Sequence, residues 1–207
     1  MDIHLLGPIE ASHDGRPVAL GAPQQRAVLA MLALEVNRTV TADRLIDGLW
    51  GERAPATAPK MVQLYVSRLR RLLAGNEAQI LTRGRGYELR LTADRVDAAR
   101  FERLVADALR ADATPNGEAR QALALWRGDP LADVAHEPFA SAEIRRLEDL
   151  RQQAAELAID ADLAAGRHLA ILSELRLMAG KRASIRRRRS RRFWAWTFGL
   201  ASATGTE

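Results

Sequence analysis

Residues 57–74 place Lys60, Gln63, Ser67, Arg68, Arg70 and Arg71 at spacings that gather them on one side of a helix. Advancing each residue by about 100° from Lys60 separates two arcs. Met61, Val62, Tyr65, Val66, Leu69, Leu72 and Leu73 fill a continuous apolar arc from about 100° to about 240°. The polar residues fill the opposite arc, with Leu64 the only large apolar residue among them. The stretch holds no carboxylate, so Lys60, Arg68, Arg70 and Arg71 have no partner on their own helix. Cations in this arrangement neutralise phosphates by releasing counterions, while arginine on guanine and glutamine on adenine read base edges. Lys60, Gln63, Ser67 and Arg70 form one stripe and are the base-edge candidates. Arg68 and Arg71, with Arg83 and Arg85 further on, are the phosphate or minor-groove candidates. A merely solvated helix face is the plain alternative, because charged faces are common on surface helices.

No catalytic constellation competes with this stripe. The chain lacks a G-x-S-x-G elbow, a phosphate-binding P-loop, a G-x-G-x-x-G after a strand and an H-E-x-x-H pair. Its histidines, His4, His13, His136 and His168, fall on different elements, which argues against a metal site or a triad. Gly84-Arg85-Gly86 lacks the following helix N-terminus of a dinucleotide site and reads as a hairpin tip. The expectation is a protein that is not an enzyme and takes no cofactor.

The elements that must position the stripe follow from patterning. Residues 3–11 and 17–20 favour strands on either side of the turn His13-Asp14-Gly15-Arg16, giving a small antiparallel sheet. A core helix starts at Pro23 and ends near Asn37, and Thr41 reads as the N-cap of a second helix over 42–49. Trp50-Gly51-Glu52-Arg53-Ala54-Pro55 breaks that helix and leads to the basic one. Residues 80–91 alternate about Arg83-Gly84-Arg85-Gly86 as a hairpin, with Tyr87, Leu89 and Leu91 on one face. From Asp97 onward the spacing predicts paired amphipathic helices over 99–111, 117–126 and 138–165, with a strong breaker at Arg127-Gly128-Asp129-Pro130 and a further pair beginning at Gly166-Arg167-His168. Sheet, helix, helix, loop, basic helix and hairpin, in that order, describe a winged helix-turn-helix whose basic helix enters the major groove.

Composition sets the bounds of this reading. The 207 residues are 47% apolar and 28% charged, and the longest apolar run, residues 27–34, is too short for a membrane span. With no cysteine and no secretory signal at Met1, a cytoplasmic protein without membrane contact is expected. The net charge of +5 conceals three regions: residues 1–95 hold 13 Lys/Arg against 10 Asp/Glu, residues 96–180 hold 10 against 15, and residues 181–207 hold 8 against 1. Local charge therefore matters more than the whole-chain value.

Several motifs together resemble a known family. Pro23-Gln24-Gln25-Arg26-Ala27-Val28-Leu29-Ala30, Leu45-Ile46-Asp47-Gly48-Leu49-Trp50-Gly51, Val62-Gln63-Leu64-Tyr65-Val66-Ser67-Arg68-Leu69-Arg70-Arg71 and Thr82-Arg83-Gly84-Arg85-Gly86-Tyr87 resemble the OmpR-type DNA-binding domain of the actinobacterial antibiotic regulatory protein (SARP) activators. Asp97-Ala98-Ala99-Arg100-Phe101-Glu102 and Leu125-Trp126-Arg127-Gly128-Asp129-Pro130-Leu131-Ala132-Asp133 resemble the bacterial transcriptional activation domain that follows it. The resemblance covers about residues 1–177. It implies a mainly α fold with small antiparallel β-sheets, an N-terminal winged helix-turn-helix over 1–95 followed by a tetratricopeptide-like α-helical domain over 96–178, here apparently truncated. It also implies a sequence-specific activator of secondary-metabolite genes that binds direct repeats in double-stranded DNA and recruits RNA polymerase, with a second copy of the chain on the DNA as a further partner. Gln25, Arg26, Thr39 and Thr41 sit where such proteins touch phosphates, and Trp50, Gly51, Glu52 and Arg53 correspond to the loop that contacts polymerase. Trp50 also fits a plainer role as a core plug.

Two departures from the family pattern stand out. No phosphoacceptor receiver precedes the sheet, so regulation through an attached receiver is not expected. Residues 179–207 form a basic tail without periodicity, in which Arg-rich sequence runs into Phe193-Trp194-Ala195-Trp196. An altered reading frame is the expectation for this tail, a nucleic-acid arm and an anionic-membrane patch are the alternatives, and disorder is expected in each case. For the whole chain, the competing readings are a helical-repeat interaction module whose winged helix contacts protein and a truncated, inactive remnant of the activator.

Overall fold

The computed structural model describes residues 1–75, 77–110 and 117–165. The expected helix pair from Gly166 and the basic tail from 179 lie outside these residues. The chain divides into two compact units, Met1–Ala158 and Ile159–Glu207. Among the described residues the fold is mainly α with two small antiparallel sheets: a winged helix-turn-helix comes first and a helical domain follows.

The first sheet has three strands, β1 (Asp2–His4), β2 (Glu10–His13) and β3 (Arg16–Pro17), in the order β1-β2-β3. The strand expected over residues 3–11 is thus two strands. Residues 5–9 leave the sheet between them, because their backbone groups bond to later parts of the chain, as described below. Helix α1 (Pro23–Leu34) starts on a proline at its first turn, where a missing N–H costs nothing. Its residues Ala27 to Ala33 are buried throughout. A helix apolar on all sides belongs at the centre of a core, and α1 packs on the second and third helices.

Helix α2 (Ala42–Trp50) is capped as expected: Thr41 Oγ1 accepts from the Arg44 N–H at 3.1 Å. Helix α3 (Ala58–Leu73) buries Val62, Tyr65, Val66, Leu69 and Leu73, with Met61 and Leu72 partly buried against the same core. The wing is the hairpin of β5 (Gln79–Arg83) and β6 (Gly86–Arg90). Its two-residue tip has Gly84 at φ +54° and Arg85 in ordinary backbone, the arrangement that a glycine-first hairpin turn requires. A third strand, β4 (Thr39–Thr41), pairs with β6 to give the order β4-β6-β5, an element that the sequence pattern did not reveal.

Among the described residues the second part holds helices α4 (Asp97–Arg110), α5 (Glu118–Ala124) and α6 (Ala140–Ala164). Phe101, Leu104 and Val105 of α4 join the same core as the winged helix. The two parts are also joined by hydrogen bonds at residues 5–10. The buried Asp97 carboxylate accepts from the N–H groups of Leu5 at 2.7 Å and Leu6 at 3.1 Å. Burial pushes this carboxyl above its usual range, against the opposing effect of those bonds and of nearby His4 and Arg127. The breaker segment completes the joint: Arg127 N–H donates to Leu6 O at 2.8 Å and Leu131 N–H to Leu5 O at 2.9 Å. Asp133 accepts from the Ile9 N–H at 2.7 Å and pairs with Arg26, also at 2.7 Å. Residues 5–9, which no strand satisfies, thus find their partners in the helical part.

Candidate nucleic-acid interface

The polar arc of α3 is exposed. Lys60, Gln63, Ser67, Arg68, Arg70 and Arg71 all face solvent, as does Leu64. Lys60, Arg68 and Arg71 make no ion pair, and Gln63 and Ser67 make no side-chain hydrogen bond, among the described residues. Some arginines elsewhere are taken up internally: Arg103 pairs with Asp94 and Asp107, and Arg146 with Glu102 and Glu143. Arg16, Arg53 and Arg100 also stand exposed without an ion pair among the described residues, each on a different element, whereas α3 carries three such cations on one face.

Arg70 departs from its expected role. Its Nε donates to Ile80 O at 2.8 Å, one Nη donates to Thr82 Oγ1 at 2.8 Å, and its guanidinium lies 5.9 Å from the centre of the Tyr87 ring. The side chain spans from α3 to the wing, so it positions the hairpin relative to the helix and its fork is not free for a base. Thr82 and Tyr87 are the residues that sequence reasoning missed here. Their only signal was their place in the hairpin motif.

On the wing, Arg85 occupies the tip, exposed and without an ion pair among the described residues. Arg83 Nε is bound to Glu88 at 2.9 Å, and Arg90 approaches the same carboxylate at 3.5 Å. The Arg83 hydrogen bond holds the Glu88 carboxyl below its usual range, so Glu88 stays charged and anchors the root of the wing. Thr39 and Thr41 stand exposed on β4, opposite Glu88 and Gly86, which brings them beside the wing. The wing tip is also tied to the second helix, since Ala42 N–H donates to Arg85 O at 2.9 Å.

Gln25 and Arg26 are not brought to this surface as free donors. Gln25 is only 3% exposed and its Nε2 donates to Leu20 O at 2.8 Å, closing the turn before α1. Arg26 is held by Asp133 of the helical part. Both side chains serve the fold, which corrects the expectation that they touch phosphates. Trp50 is half-buried and packs on the core, while Glu52 and Arg53 in the following 3-10 turn are exposed. Among the described residues no cluster of acidic and histidine side chains suits a metal, and no helix is long and apolar enough to cross a membrane.

Residues 15–89 match the family described as "Transcriptional regulatory protein, C terminal", and residues 96–183 match "Bacterial transcriptional activator domain". The regulatory protein DnrI of Streptomyces peucetius is 35% identical over 197 residues, covering 87% of this chain and 72% of that protein. The chain belongs to the SARP family of transcriptional regulators. A further SARP relative, the regulatory protein AfsR of Streptomyces coelicolor, is 40% identical over 177 residues, covering 83% of this chain and 18% of its own length. The chain thus spans less than a fifth of that relative. Among solved structures, Mycobacterium tuberculosis EmbR in complex with a low affinity phosphopeptide superposes with a TM-score of 0.76 at 34% identity, over 86% of this chain and 49% of EmbR.

Proposed function

We propose that the chain is a sequence-specific, double-stranded-DNA-binding activator that acts in the cytoplasm, without catalysis, on genes of secondary metabolism. The observation that carries this reading is the α3 face, on which Lys60, Gln63, Ser67, Arg68 and Arg71 stand exposed with no partner among the described residues and no carboxylate on the helix. In the proposed complex α3 enters the major groove, where Gln63, Ser67 and Lys60 face base edges and Arg68 and Arg71 face phosphates. Arg85 and Arg83 of the wing reach the neighbouring groove, and Thr39 and Thr41 contact the backbone beside them. Two copies bind direct repeats. Glu52 and Arg53, in the exposed turn after Trp50, contact RNA polymerase. Residues 1–95 carry recognition and residues 96–178 carry activation in this division of labour. The naming of AfsR and DnrI as regulatory proteins supports the reading.

The test is duplex binding by the full chain as salt is raised, compared with a variant carrying Lys60→Gln, Arg68→Gln and Arg71→Gln. Each phosphate contact removed lowers the slope of log affinity against log salt by about 1. The variant should show a flatter slope while its basic tail is unchanged. Identical slopes and affinities for the two proteins would refute a DNA-facing α3 and favour a protein-contact role for the winged helix.

A further inference from the structure

Leu64 is the one residue of the α3 polar arc whose chemistry neither phosphate binding nor hydrogen bonding to base edges explains. It is 45% exposed, and its helix neighbours at three and four residues' distance are Lys60, Met61, Ser67 and Arg68. The polar members of this group are the same side chains that have no partner elsewhere in the described protein. Leu64 does not belong to the core, to which α3 already contributes Val62, Tyr65, Val66, Leu69 and Leu73. It lies in the N-terminal half of α3, the part of a recognition helix that contacts base edges, with Lys60 one turn before it and Arg68 one turn after. A branched apolar side chain offers nothing to a phosphate or to a base's donors and acceptors. The major groove has one apolar feature, the C5-methyl of thymine.

Resting on the DNA-binding reading, we infer that Leu64 is a specificity residue that recognises a thymine methyl in the operator. The contact excludes water from both groups and selects thymine over cytosine at one position of each repeat, at which Gln63 and Ser67 supply the polar contacts to neighbouring bases.

The experiment starts from the duplex that the full chain enriches out of a random pool, with random-duplex competitor present to absorb binding by the basic tail. Each thymine of that duplex is replaced in turn by deoxyuridine, which removes the methyl and leaves every hydrogen-bonding group in place. Affinities are then measured for the wild type, Leu64→Ala and Leu64→Met. At one thymine per repeat the wild type should lose about four-fold, the equivalent of one buried methyl group. Leu64→Ala should bind the thymine and deoxyuridine duplexes equally at that position, and Leu64→Met should regain most of the discrimination. Because Leu64 is exposed, all three proteins should have the same helix content and thermal midpoint. The inference fails if every deoxyuridine duplex affects wild type and Leu64→Ala alike. A pool that yields no enriched sequence overturns the DNA-binding reading and the Leu64 contact with it, so the two failures are distinguishable.

Discussion

Arg70 and Gln63 lie on the same stripe of α3, yet they lead to opposite forecasts. Gln63 has no side-chain partner among the described residues, so Gln63→Ala should cost roughly 1–3 kcal/mol of specific binding and relax preference at one base, read by competition between point-substituted duplexes. Arg70 is bound to Ile80 O and Thr82, so Arg70→Ala should lower folding stability by about 1–2 kcal/mol in a denaturant titration and leave the preferred sequence unchanged. Periodicity assigns the face on which a side chain starts, and that was legible for the whole helix. It does not say where a long arginine ends, which depends on the Ile80 carbonyl and the Thr82 hydroxyl of another element. The same limit applied to Gln25, whose amide closes a turn inside the protein. Asp97 adds a test by pH. Burial raises its carboxyl above the ordinary 3.8, so the folded state holds the proton more tightly than the unfolded chain. Its contribution is fully present below that value and declines as pH rises through the raised one. The stability difference between wild type and Asp97→Asn should therefore shrink as pH increases from 3.8 upward, as measured by urea unfolding at a series of pH values.

At the scale of elements, the wing and the turn after α2 carry separable predictions. A Cβ on Gly86 would collide with the Val40 carbonyl and the Thr41 backbone, where β4 and β6 lie side by side. Gly86→Ala should therefore pull β4 from the sheet, destabilise the fold by about 1–3 kcal/mol and weaken duplex binding, all visible by denaturation and anisotropy titration. In contrast, Glu52→Ala with Arg53→Ala touches exposed side chains only and should leave both stability and duplex affinity intact while lowering promoter-dependent transcription in a purified polymerase assay. Unchanged transcription would remove the polymerase contact from the account. The helices and the hairpin were legible because each repeats its apolar pattern over several turns or strand residues. Strand β4 was not: Thr39-Val40-Thr41 is too short to show alternation, and its partner β6 lies far along the chain. Thr41 was recognised as a cap, and its exposure beside the wing followed from the strand that was missed.

For the molecule as a whole, the joint between the winged helix and the helical part is the feature least visible in the sequence. Leu5, Leu6 and Ile9 give their backbone N–H groups to Asp97 and Asp133, and the breaker segment returns bonds to Leu5 and Leu6. Arg127-Gly128-Asp129-Pro130 reads locally as a break between helices, and only the fold shows that it serves as a docking strap. A fragment of residues 1–95 should accordingly unfold at a lower denaturant concentration than the full chain, because it exposes these groups and the core surface beneath Phe101. Binding experiments on that fragment would confound lost recognition with lost folding. The measurement that most directly tests the central claim is therefore selection of duplexes from a random pool by the full chain, run in parallel with the Lys60→Gln, Gln63→Ala, Arg68→Gln, Arg71→Gln variant. Enrichment of a direct repeat by the wild type, lost in the variant, is the predicted result. The same sequences enriched by both proteins, or none by either, would contradict the assignment of DNA recognition to the α3 face.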